Sequence, residues 1–286
     1  MKRRDCLKAG ATLFIGSALM REPLAHPVIT QTEVIHRQLR FVVSLTNPKP
    51  HELRNQCLWL YAPASESPTQ RLTSLKVSMP HERLSDAFGH AIVRLDFSDF
   101  PPLATKVVTI TADLLLTNEP VPAPLENPQD WLAAERFVES NDGRIRALAA
   151  KLKHSDESDT SRAIYDWASQ NVHYTGYAAD PRGALDALLN GGGDCTEYAS
   201  LSVALARANA IPARRVGGYV VDRDSVLRAA DYHDWAEVYF DGAWRLLDAQ
   251  KKHWQQPTEQ YVAFRYGEDG AGQRYRMRGE LEVRLM

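Results

Sequence analysis

Cysteine is scarce in this chain. Its 286 residues carry three, Cys6, Cys57 and Cys195. A disulfide framework is therefore excluded, and beyond the first residues a single Cys57–Cys195 bridge is the most that an oxidising compartment could make. Metal-ligand spacings are also missing. There is no CxxC, no HExxH and no calcium-loop pattern, so no metal or other cofactor is expected. Lys and Arg total 34 against 36 Asp and Glu, a formal net charge of -2, with no basic run or aromatic-basic stripe. No nucleic-acid partner follows from that balance. The glycines at 191 to 193 are not followed by the GxxxxGK[ST] pattern of a phosphate loop, and Asp194 places a carboxylate where a phosphate would sit. No internal repeat or low-complexity tract occurs.

Long apolar runs are absent too. The one pronounced run, Ala9 to Met20, is too short to span a bilayer stably and follows a basic start, MKRRDCLK. The Arg3-Arg4 pair followed by Leu7 and Lys8 resembles a twin-arginine export signal. Residues 1–25 are thus expected to be a signal peptide. The protein is expected to be periplasmic or secreted, without a stable membrane span after cleavage, and to stay membrane-anchored if uncleaved.

What is present is globular: 44% hydrophobic and 24% charged residues, enough for a sizeable core. From Glu33 to Thr117 alternating patterns such as RFVVSLT and KVVTITADLLL, separated by turn residues, predict a small antiparallel β-sandwich over 30–118. The stretch NEPVPAPLENPQ reads as a stiff proline-rich linker over 119–129. After it the period changes to about 3.6 residues. DWLAAERFVES, RIRALAAKLK and DTSRAIYDWASQNV read as helices, the last with Ile164, Trp167 and Ala168 on one face. Strand periodicity returns in RRVGGYVVD, DWAEVYF and AWRLLDA, and QRYRMRGELEVRL reads as a closing strand pair. Helices followed by an antiparallel sheet make 130–286 an α+β domain.

Within it, NGGGDCTEYASLSVALARANAIP holds the lone thiol of the second half. Asp194 and Glu197 have the spacing of a capping box, which makes Cys195 the first residue of a nearly buried helix. Such a helix start favours an anion, so a thiol there is biased towards the thiolate, and Gly191 to Gly193 leave room for a substrate or another backbone. Position alone leaves a small buried hydrophobe equally open.

A cysteine nucleophile needs a base, usually a histidine held by a third group. In HDWAEVYFDGAWRLLDA, Asp241-Gly242 signals a two-residue hairpin turn. With that turn Phe240 opposes Ala243, Val238 opposes Arg245 and Trp235 opposes Asp248. His233 and Asp248 then share a face as diagonal neighbours roughly 7–8 Å apart, within reach of each other. A one-residue slip would separate them. His173 and His253 are weaker candidates, since no local turn brings an acid to either.

These two segments, GGGDCTEYASLSVALARANAIPARRVGGY and HDWAEVYFDGAWRLLDAQ, resemble the transglutaminase-like superfamily, papain-like cysteine acyltransferases and hydrolases, in its Cys, His, Asp order. The resemblance spans roughly 159–250 and implies a papain/transglutaminase-like catalytic core, with the N-terminal sandwich as an accessory region. It implies that Cys195 attacks an amide carbonyl, His233 is base and then acid, and Asp248 orients His233. Acyl transfer or hydrolysis of glutamine side-chain or peptide amides is then expected on a protein or peptide substrate. A cysteine peptidase or a non-catalytic scaffolding member are the alternatives. The oxyanion would rest on the Cys195 backbone N–H, with Tyr174, Tyr177, Gly193, Asp194 and Trp235 as supporting candidates. Ala210 stands where the family usually has glycine, with Asn209 able to take the left-handed conformation instead.

Overall fold

The computed structural model describes residues 33–86, 88–267 and 274–286. The proposed signal peptide lies outside them. Seven strands come first: β1 (Val34–Thr46), β2 (Leu53–Tyr61), β3 (Glu66–Ser67), β4 (Gln70–Val77), β5 (Glu82–Ser85), β6 (Ala91–Phe100) and β7 (Thr105–Thr117). They form two facing layers. β1 pairs with β7 along its whole length and β7 with β4, while β2 pairs with β6 and β6 with β5. Alternate residues point inward, so Leu39, Phe41, Val43 and Leu45 of β1 meet Leu58 and Leu60 of β2 and Val93 and Leu95 of β6 in one core. That alternation is the period-2 pattern of a half-buried strand.

The second half holds α1 (Gly143–Lys151), α2 (Glu157–Asn171), β8 (His173–Tyr174), α3 (Ala184–Asn190), β9 (Gly192–Gly193) and α4 (Cys195–Ala208). Strands β10 (Ala213–Val220), β11 (Ser225–Val226), β12 (Tyr232–Phe240), β13 (Ala243–Asp248), β14 (His253–Trp254), β15 (Tyr261–Tyr266), β16 (Tyr275–Arg278) and β17 (Glu282–Leu285) follow. Five of them make an antiparallel sheet in the order β14-β13-β12-β10-β15. One face of this sheet packs Ala236, Val238, Phe240 and Leu247 against the helices, and α4 is so enclosed that every residue from Glu197 to Arg207 is buried. The other face carries Val216, Trp235, Leu246 and Tyr261. This is the expected α+β architecture, with a sheet-rich N-terminal region. No helix among the described residues is long and apolar enough to cross a membrane.

Three expectations differ from what is observed. DWLAAERFVES forms only a short 3-10 turn, Pro128–Trp131, and then loops. Tertiary contacts claim its backbone: the buried Arg207 guanidinium donates to Ala133 O, Ala184 N–H donates to Phe137 O, and Phe137 takes a positive φ of 70°. Helix propensity is too weak a preference to compete with such contacts. The last two strands do not pair with each other. β16 extends the four-stranded layer beside β2, and β17 extends the six-stranded layer beside β1, which β11 also joins. Finally, Ala210 itself takes the left-handed conformation, φ 62°, while Asn209 stays at φ -93°.

Alanine in that conformation is strained by its Cβ, at a cost of roughly 1–2 kcal/mol. Ala210→Gly is therefore expected to stabilise the fold by about 1 kcal/mol and raise Tm by roughly 2–4 °C. Thermal unfolding of the two proteins side by side measures it, and an unchanged or lower Tm contradicts it.

Candidate active site

The start of α4 is built by its two carboxylates. Asp194 Oδ1 accepts the Thr196 N–H at 2.8 Å and Oδ2 accepts the Ala178 N–H at 2.9 Å. Glu197 reaches back so that Oε2 accepts the Asp194 N–H at 3.0 Å, and Oε1 accepts the Arg182 N–H at 2.9 Å. The expected capping box is present. A cap of this kind stabilises a helix by about 1 kcal/mol, and here it also fixes the backbone of Cys195. None of these acceptors takes the Cys195 N–H, one of the orphan donors of a helix start.

The glycines serve one of the two uses their sequence suggested, close packing within the protein. A Cβ on Gly193 would lie 2.3 Å from Glu197 Cβ, and one on Gly192 would lie 2.8 Å from Thr175 Cγ2. Their missing side chains make room for the capping glutamate and for the β8–β9 pairing, in which Tyr174 opposes Gly193. Tyr174 and Tyr177 do line the cleft, but at 60% and 81% exposure they stand on its rim, and neither hydroxyl is hydrogen-bonded among the described residues.

Across the cleft the hairpin has the expected register. Asp241 and Gly242 both have positive φ, 49° and 72°, as a two-residue type I′ turn requires. Phe240 opposes Ala243, Val238 opposes Arg245 and Ala236 opposes Leu247. His233 Nε2 lies 2.6 Å from Asp248 Oδ2, both groups being buried. Burial opposes the charge of Asp248, yet hydrogen bonds from His233, the Lys251 N–H and the Tyr261 hydroxyl hold its carboxyl below the usual range. Trp235 is 1% exposed and is a core residue; its ring runs nearly parallel to His233 at 6.3 Å. His173 is exposed, and His253 contacts Tyr261 rather than the cleft.

Cys195, His233, Asp194, Thr196 and Asp234 line one cavity of about 720 Å³. The Asp234 backbone donates a hydrogen bond to Cys195, which seats the sulfur against the peptide joining Asp234 to His233. Nε2 is committed to Asp248, and Nδ1 has no hydrogen-bond partner among the described residues. Cys57 and Cys195 are both free thiols. Among the described residues no group of three or more His, Cys, Asp or Glu side chains could hold a metal ion.

The thiol is not the activated one that a helix start suggests. Burial first, then the charges of Asp234 and Asp194, push it up to about 12. Asp234 gives no signal in the sequence beyond standing next to His233. Its side chain accepts the Thr196 hydroxyl proton at 3.0 Å and adds a like charge beside the nascent thiolate. Asp234→Asn is therefore expected to move the acid limb of Cys195 alkylation by iodoacetamide to lower pH, by up to about one unit. Rate measurements across pH with the wild type in parallel decide it, and a limb that stays or rises counts against it.

Comparison with known proteins follows the same lines. Residues 146–249 match the model of the transglutaminase-like superfamily, a segment that contains Cys195, His233 and Asp248. Among solved structures, the chain is similar to a candidate cysteine protease from Cytophaga hutchinsonii, with 22% identity, a TM-score of 0.62 and coverage of 89% of this chain and 92% of that one. It is also similar to the periplasmic domain of TgpA from Pseudomonas aeruginosa, at 17% identity and a TM-score of 0.40, covering 74% of this chain and 90% of that one. No curated protein matches it in sequence. The match to the transglutaminase-like superfamily is thus to residues 146–249, the segment that supplies α4 and the β12–β13 hairpin.

Proposed function

We propose that this protein is an exported cysteine acyltransferase or amidohydrolase that works through a Cys195-His233-Asp248 triad on glutamine side-chain or peptide amides. The observation that carries the reading is the buried 2.6 Å contact of His233 Nε2 with Asp248, facing a cleft that also holds Cys195. Export is supported by the arginine pair and short apolar run at the start of the sequence.

The chemistry follows from the thiol's high proton affinity. Cys195 does not rest as a lone thiolate. Its proton passes to His233 Nδ1, and the imidazolium so formed keeps Nε2–H on the Asp248 carboxylate. Sulfur then attacks the amide carbonyl carbon, the carbonyl π electrons move to oxygen, and the Cys195 N–H receives that oxyanion. When the C–N bond breaks, His233 gives its proton to the departing nitrogen, which leaves as ammonia or an amine. A water or amine next gives its proton to His233 and attacks the thioester, and the sulfur leaves and recovers the proton. Water yields a carboxylic acid, and an amine yields a new amide. Peptide-bond hydrolysis is the second reading, favoured by the description that the Cytophaga structure carries.

The test uses the chain's own control, the buried Cys57. A thiol-directed probe is expected to label Cys195 faster than Cys57, and Cys195→Ala to abolish the fast phase. A glutamine donor offered with a labelled amine then distinguishes transfer from hydrolysis. His233→Ala and Asp248→Asn are expected to lower turnover at least about a hundredfold. Equal labelling of the two cysteines, or full turnover in either variant, refutes the triad.

A further inference from the structure

Asp248 has more partners than one histidine supplies. Its Oδ2 accepts from His233 Nε2 at 2.6 Å and from the Tyr261 hydroxyl at 2.7 Å, while Oδ1 accepts the Lys251 N–H at 2.9 Å. Tyr261 arrives from β15, two strands beyond β12 in the sheet. Its hydroxyl also lies 2.8 Å from Nδ1 of His253, and His253 is the direct cross-strand partner of Asp248.

A proton count fixes the direction of these bonds. An ionised carboxylate only accepts, so the one hydroxyl proton of Tyr261 points at Asp248. The lone pair that remains on that oxygen accepts from His253, which must then carry its proton on Nδ1. Burial, reinforced by the charge of Asp248, drives the Tyr261 phenol far above its ordinary range, and burial holds His253 below its own. Both are therefore neutral near pH 7, as this arrangement needs.

We propose that Tyr261, oriented by His253, is the positioning residue that holds the Asp248 carboxylate towards His233 and moderates how firmly His233 keeps its proton. The proposal rests on the Cys-His-Asp reading above. Two donors on Oδ2 and one on Oδ1 leave the carboxylate plane little freedom to turn. Because the Tyr261 proton and the His233 proton share one oxygen, each weakens that oxygen's hold on the other. An imidazolium held less tightly returns its proton more readily to a departing nitrogen. Among the described residues, other titratable or charged groups around this cluster and its cleft include Cys195 and Asp194 at the start of α4, Tyr165 from α2, Tyr232 and Asp234 from β12, Asp231 just before it, Lys251 from the turn after β13, and Arg274.

The relay can be read without knowing the substrate. Iodoacetate, an anion, reacts fastest with the thiolate–imidazolium form of the Cys195–His233 pair, so the alkaline limb of its rate reports loss of the proton that the pair holds. In the whole protein, Tyr261→Phe keeps the ring packed against Trp235, and its fold is checked by thermal unfolding. It is expected to move that limb upward by roughly one pH unit, because Asp248 then concentrates its charge on His233. His253→Ala is expected to move it the same way by less, while Asp248→Asn moves it downward. A Tyr261→Phe limb that coincides with the wild type, beside a displaced Asp248→Asn limb, overturns the relay and leaves the triad standing. If Asp248→Asn also leaves the limb in place, the triad reading itself falls and takes the relay with it.

Discussion

The site hangs on the register of one hairpin. Sheet side chains alternate between faces, so a shift of a single residue between β12 and β13 would send Asp248 to the side opposite His233. What prevents the shift is a two-residue turn that only a narrow set of residues can make, with both central positions at positive φ. The alternation of faces along β12 adds to it. Ala236, Val238 and Phe240 are committed to the helical core, which leaves His233 and Trp235 on the other face. The contact between imidazole and carboxylate is thus a consequence of turn chemistry and core packing, several residues away from either group.

The helix start illustrates how two uses of one feature compete. Unpaired N–H groups at the beginning of α4 would favour a sulfur anion, but a free helix end in a buried place must find acceptors, and Asp194 and Glu197 supply them. Burial, with the charges of Asp234 and the capping Asp194 added, makes that helix start a poor source of thiolate. Rigidity is retained, and in the proposed triad activation falls to the histidine. Asp234 deepens that dependence, since its backbone favours the thiolate while its side chain opposes it.

Features that depend on neighbours in sequence are legible from the residues alone. The capping spacing of Asp194 and Glu197, the Asp-Gly turn and the alternating strands each follow from local backbone preference, and each appears where expected. Contacts set by sheet order are not legible in this way. Tyr261 meets Asp248 only because β15 lies beyond β10, and no spacing in the sequence announces that neighbour. The segment after Asp130 has helical periodicity, yet the buried Arg207, more than seventy residues later, takes its Ala133 carbonyl. The glycines before Cys195 are conspicuous in the sequence, but their role depends on where the Glu197 side chain turns back, which composition does not reveal.

The return of β16 and β17 to the first two strands gives the molecule an order of assembly. While the chain is being synthesised, the long strand β1 can pair with β7 as soon as residue 117 is available, but its other edge stays bare over Val43–Thr46 until Glu282–Leu285 appear. β2 likewise waits for Tyr275–Arg278. An unpaired strand edge invites pairing with another chain, so both edges stay adhesive until these two late strands have been made.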